Sequence, residues 1–116
     1  MDTKKKGYFA ESYACGLLTI KGYKILDRNF RCKLGEIDII ALKENTLVFI
    51  EVKARANKKY GLPQEAVTPT KIKKIQKVSD FYRLNHDNLP KKSRIDVVAI
   101  IYEGISVKSF EIIPVV

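Results

Sequence analysis

Apolar residues near the start of the chain recur at helical spacing. From residue 23 onward they follow strand spacing. Ala10, Ala14, Leu17 and Leu18 fall near one face of a helix, which predicts a helix over 8–21. Gly22 follows as its stop, because glycine takes the left-handed conformation after a helix at little cost. Residues 23–31 (YKILDRNFR), 36–42 and 46–54 then read as three strands, the last two rich in β-branched and large apolar residues. A turn at Glu44-Asn45 joins the second strand to the third. A loop over 57–68, with Gly61 and Pro63, leads into a second helix over 69–84. Thr68 can cap that helix and Pro69 suits its first position. Its residues Ile72, Ile75, Val78, Phe81 and Tyr82 make one apolar stripe, and Lys71, Lys73, Lys74 and Lys77 fall largely elsewhere. Residues 94–102 (RIDVVAIIY) read as a strand buried on both faces. Glu103-Gly104 turns the chain into a last strand over 105–112. The order α-β-β-β-α-β-β predicts an α/β sandwich, with helices flanking a mixed central sheet whose first three strands form a meander.

The length of 116 residues, nearly half of them hydrophobic, predicts a single domain over 1–116, with residues 1–6 as a flexible basic arm. No apolar run approaches the roughly 20 residues of a membrane span, and the start of the chain lacks an apolar signal core. The expectation is a soluble, cytoplasmic protein. Cys15 and Cys32 stand far apart, which fits reduced, packed thiols better than a zinc ribbon or a disulfide scaffold. His86, the only histidine, lies in a polar stretch and reads as a surface residue. Charge alters the picture more. Lys and Arg number 22 against 13 acidic residues, a net charge of +9, and such an excess favours a polyanionic partner. Nucleic acid suits it better than a membrane, because no basic amphipathic helix with large exposed apolar residues stands out. A surface charged for solubility is the plain alternative.

The stretch GEIDIIALKENTLVFIEVKAR, residues 35–55, carries acids inside apolar strands. A two-residue loop at Glu44-Asn45 makes Lys43 and Thr46 the closing pair, so the numbers of facing residues sum to 89. Asp38 then faces Glu51, and Glu36 faces Lys53. Alternation places all four on one face, with cross-strand partners about 4.5–5.5 Å apart at Cβ. A loop of odd length would separate Asp38 from Glu51. Two facing carboxylates in a partly buried site cannot both ionise cheaply without a cation. Hard oxygen ligands favour Mg²⁺ or Mn²⁺, which completes its shell with water and substrate phosphate. Lys53 on the same face can stabilise developing negative charge or orient a water. Each residue also has an ordinary reading. Glu36 pairs with Lys53 or is solvated, Asp38 caps a turn or pairs with a cation, and Glu51 and Lys53 are charges on an exposed sheet face. The combined pattern D-x12-E-x-K in a basic chain favours the metal site.

At these residues the chain resembles the PD-(D/E)xK nuclease superfamily, whose restriction-endonuclease-like fold has an αβββαβ core. The resemblance narrows to the YraN family of small bacterial endonuclease-like proteins and covers nearly the whole chain. It is carried by G7-YFAE11, by GYKILDRNFR over 22–31, by GEIDIIA, by LVFIEVKAR and by RIDVV near the C-terminus. The layout is also similar to that of archaeal Holliday-junction resolvases. The proline that gives the motif its name is replaced by Ile37. The resemblance implies that Asp38 and Glu51 are metal ligands, aided by the backbone carbonyl of Val52. It also implies that Lys53 is the catalytic lysine and that Glu11, on the first helix, reaches the metal or its water. Gln64 stands where many members place a supporting polar residue. From the sequence alone, Glu11 is a helical glutamate and Gln64 a polar loop residue.

Basic residues flank this site in sequence. Arg28 and Arg31 precede it, Arg55 follows it, and Lys71 and Lys74 lie on the second helix. Arginine suits bidentate phosphate contact, and such contacts give affinity without reading sequence. The expected function is a metal-dependent nuclease acting on DNA, with branched or damaged DNA among its candidate substrates. The alternatives are a non-catalytic nucleic-acid-binding module on the same fold and a subunit whose site holds a metal for stability alone. A nuclease on duplex or junction DNA often needs two active sites, which makes a homodimer one of the expectations.

Overall fold

The structure, a computed structural model, describes residues 3–56, 65 and 67–116, with residues 3–6 described by their backbone. Helix α1 spans Thr3–Ile20, strand β1 Lys24–Cys32, β2 Gly35–Lys43, β3 Thr46–Arg55, helix α2 Pro69–Leu84, β4 Lys92–Glu103 and β5 Ser106–Pro114. The element order is the expected one. Helix α1 begins earlier than residue 8 and takes in part of the segment expected to be a flexible arm. Gly22 adopts φ +93° directly after α1, the conformation its stop role requires. Thr68 caps α2, its hydroxyl accepting from the Lys71 N–H at 3.2 Å, and Pro69 occupies the first turn.

The five strands form one sheet in the order β1-β2-β3-β4-β5. Strands β3 and β4 are parallel, and the other neighbours are antiparallel. The parallel pair follows from the crossover through α2, because parallel neighbours need a long connection. The helices cover opposite faces. On the α1 side, Ala14 and Leu18 pack with Ile39, Ala41, Val48, Ile50, Val98 and Ile100. On the α2 side, Ile75, Val78 and Tyr82 pack with Ile37, Ile40, Leu47, Phe49 and Ile95. Strand β4 is buried from Ile95 through Ile101, as its continuous apolar run predicts. Phe81, part of the expected α2 stripe, is 38% exposed, with its ring tilted against that of Phe30.

Polar groups pin both layers. The Tyr82 hydroxyl donates to Asp27 at 2.7 Å, tying α2 to β1, and burial followed by this carboxylate pushes the Tyr82 phenol pKa up. Tyr82→Phe is expected to cost about 1–2 kcal/mol in chemical denaturation, since Asp27 loses a charge-assisted partner while the packing stays. His86 is exposed, as expected, with its ring stacked 3.8 Å from that of Tyr82. Cys15 and Cys32 are free and partly buried, and burial raises the Cys15 pKa.

Candidate active site

The β2–β3 turn fixes the register, and the register positions the acids. Pairs run from Lys43↔Thr46 to Ile39↔Ile50, all summing to 89. The ladder stops one step short of Asp38 and Glu51. There Asp38 turns its carboxylate to the neighbouring strand, and Oδ2 accepts the Val52 N–H at 2.8 Å. Strand β2 bends at this residue. Strict alternation would put Ile37 with Ile39 on the α1 side, yet Ile37 packs with Ile40 on the α2 side. Strand β1 bends with it, because Asn29, between the pairs Arg28↔Ile39 and Phe30↔Ile37, has φ +52°. The two strands turn away from β3 together, and Asp38 sits where they part.

This divergence corrects one expectation. Glu36 does not face Lys53. It pairs with Arg31 of β1 at 3.0 Å, and both side chains are exposed. Glu51, by contrast, is buried, with 6% of its surface accessible. Its Oε1 lies 3.4 Å from Lys53 Nζ and 2.5 Å from Lys71 Nζ. Alternation along β3 puts Glu51 and Lys53 on the face away from the core partners Val52 and Ala54, toward α2.

The electrostatics follow from this crowding. Burial, reinforced by the nearby Glu51 charge, raises the Asp38 pKa from 3.8 to about 7, while the Val52 N–H pulls it partly back. Burial and contact with Lys71 lower the Lys53 pKa against the pull of Glu51. Burial also opposes the charge on Lys71, but its contact with Glu51 outweighs this and raises its pKa. Two oxygen-donor acids close enough that the charge of Glu51 helps hold Asp38 toward its neutral form suit a hard divalent cation with two protein carboxylates. Among the described residues no group of three or more His, Cys, Asp or Glu is placed to hold a metal. The charge of Glu11 reaches Asp38 and helps raise its pKa.

The expected phosphate contacts are distributed differently from their order in sequence. Arg28 folds onto α1: Nη2 donates to Ser12 Oγ at 3.0 Å, its guanidinium lies over the Tyr8 ring, and its Nε is buried without a partner. Arg55 donates to its neighbour's carbonyl, Ala54 O, at 3.1 Å. Arg31 is exposed in its pair with Glu36. Lys74 is exposed on α2, while Lys71 turns inward to Glu51. Gln64 lies outside the described residues. The place of Lys71 in the site was missed in the sequence, although Thr68-Pro69 marks it as a first-turn residue of α2 whose charge needs an acidic partner.

The class these features define is a mixed α/β domain, a five-stranded mixed sheet with two helices, compatible with an αβββαβ nuclease-like core. The chain belongs to the uncharacterised protein family UPF0102, whose model matches residues 10–100. It is 46% identical over 105 residues to a UPF0102 protein of Caldicellulosiruptor bescii, covering 90% of this chain and 88% of that one. A UPF0102 protein of Clostridioides difficile is 44% identical over 100 residues, covering 86% and 88% of the two chains. One of Cytophaga hutchinsonii is 41% identical over 112 residues, covering 97% and 98%. No helix among the described residues is long and apolar enough to cross a membrane.

Proposed function

We propose that this protein is a metal-dependent nuclease that hydrolyses phosphodiester bonds in DNA, with branched or damaged DNA among its candidate substrates. The observation that carries the reading is the meeting of Asp38, Glu51 and Lys53 at the point where β2 leaves β3, in a chain of net charge +9. Asp38 and Glu51 would hold Mg²⁺ or Mn²⁺, with the Val52 carbonyl as a further donor. Such an ion supplies Lewis acidity and a water acidic enough to attack phosphorus near neutral pH. Lys53 would place its ammonium against the charge that builds on the phosphate. Glu11 would help orient the attacking water from the α1 side. The exposed cations Arg31 and Lys74, with Arg55, would contact phosphates on either side of the scissile bond. A cytoplasmic location and a homodimer offering two sites belong to the same reading.

The test is cleavage in Mn²⁺ of supercoiled, single-stranded, flapped and four-way-junction DNA. Asp38→Ala and Lys53→Ala are each expected to lose about 100-fold in rate, the usual scale for one electrostatic group in such a site. Equal rates in all three proteins would point to a contaminating nuclease and remove the site assignment. Tight binding that weakens steeply with salt, with no cleavage by the unaltered protein, would instead make this a non-catalytic nucleic-acid-binding module.

A further inference from the structure

Two ammonium groups meet one carboxylate oxygen in this site, and they differ in origin. Lys53 lies on the same strand as Glu51, two residues along, and its side chain is 21% exposed. Lys71 comes from the first turn of α2 and is 35% exposed, yet it makes the closer contact with the same Oε1. That turn is an unfavourable place for a cation. The N-terminal end of a helix carries partial positive charge, and the first turn of α2 has no acidic residue to offset it. Glu51 is the acid that holds Lys71 there. A buried carboxylate with an ammonium at this distance has its charge satisfied without any metal, and a divalent ion at the same oxygen would crowd that ammonium.

We infer that Lys71 is a positioning residue that fills the cation place beside Glu51 in the metal-free protein and gives way when a divalent metal binds. This rests on the metal reading proposed above and adds to it a built-in competitor. Lys71 is the more exposed of the two lysines, 35% against 21%, so it is the one to leave. The contact with Lys71 holds the Glu51 carboxylate in place before the metal arrives. The exchange releases an ammonium at the positive end of α2, where a substrate phosphate can meet both.

The experiment is calorimetric titration of Mn²⁺ into the full chain without nucleic acid. Lys71→Met keeps the aliphatic stem and removes the charge, and it is expected to bind Mn²⁺ about tenfold more tightly than the unaltered protein. Lys71→Arg restores a cation and is expected to return affinity to within about threefold of the original. Lys77→Ala removes a charge about 9 Å farther along the helix and should change affinity less than twofold, which separates direct competition from a general charge effect. Lys71→Gln gives the same reading where methionine disturbs the helix, and thermal melts of each variant establish that it is folded. Mn²⁺ binding of equal strength in the unaltered protein and Lys71→Met would overturn the exchange and leave the metal site standing. An equal gain in Lys77→Ala would overturn it as well. Absence of Mn²⁺ binding in every variant would overturn both the exchange and the metal reading.

Discussion

Asp38→Asn is expected to melt about 8 °C above the unaltered protein at pH 8 in a chelator, although it removes a proposed metal ligand. The folded-state pKa of Asp38 is raised from 3.8 to about 7, first by burial and then by Glu51. A raised carboxyl pKa means that the folded protein keeps a proton which the unfolded chain gives up between about pH 4 and pH 7. Stability therefore falls as pH rises through that window. The cost is absent below about pH 4 and complete above about pH 7. Raising a carboxyl from 3.8 to about 7 corresponds to about 4 kcal/mol. Asp38 is only partly buried, and solvent screening brings this to roughly 2 kcal/mol. At roughly 4 °C per kcal/mol for a domain of this size, that is the stated rise. Asparagine retains an oxygen to accept the Val52 N–H and carries no charge to repel Glu51. Scanning calorimetry from pH 4 to pH 8 should show the two proteins converging in acid. Saturating Mn²⁺ should reverse their order, because ligand bound to the folded state stabilises it in proportion to RT ln(1 + [L]/Kd). Equal melting temperatures across the range would mean that Asp38 is not held in a crowded acidic site.

The hairpin was the most legible part of the sequence, because its information is local. A two-residue turn sets the register, and the observed pairs follow it from Lys43↔Thr46 to Ile39↔Ile50. The same local rule failed at Glu36. It assumes that a strand stays beside its partner, whereas the part of β2 that precedes Ile39 pairs with β1 and not with β3. The bend depends on the positive φ of Asn29 and on Asp38 capturing the Val52 N–H. Neither is written in the hydrophobic pattern of β2. Helix α2 was legible to the residue, from Pro69 to Leu84, because capping chemistry and the apolar stripe both specify its course.

The direction of each cation was not legible. Five basic side chains were grouped as phosphate contacts, but Arg28 folds onto Ser12 and Tyr8, and Lys71 enters the acidic site. A lysine at the start of a helix points where the helix is docked, and docking is a property of the whole sheet. The apolar neighbours of Glu51 were visible in the sequence. Its neutralisation by a cation from α2, some twenty residues downstream in the chain, could be read only once α2 was placed across β3.

Arg94→Met is expected to lose about 3–5 kcal/mol of stability, and with it roughly 10–20 °C in melting temperature. The RIDVV segment carries this effect for a reason separate from chemistry at Glu51. Asp96 is completely buried, and Arg94 Nε donates to both of its carboxylate oxygens at 3.1 Å. Burial works against the Arg94 charge, yet Asp96 and the Tyr23 hydroxyl together raise its pKa. Arg94 Nη2 also donates to Tyr23 at 3.1 Å, and Lys43 lies over the Tyr23 ring while donating to the Lys21 carbonyl just past α1. The network therefore joins β4, β2 and the end of α1. Removing the arginine takes away the ion-pair partner of a carboxylate that is fully buried in the folded protein. Such a loss is much larger than the net worth of the intact pair, because the desolvation of Asp96 is no longer offset. The double replacement Arg94→Met with Asp96→Leu removes the buried charge as well, and it is expected to recover most of the loss in urea denaturation. In the sheet, Asp96 is the parallel partner of Ile50 and Val97 that of Glu51, so the pair locks the strand that carries the acidic site from its opposite face. Recovery in the double variant, with Mn²⁺ affinity unchanged, would assign RIDVV to holding β3 in place. A double variant as unstable as Arg94→Met would mean that Asp96 stabilises the fold through something other than its ion pair.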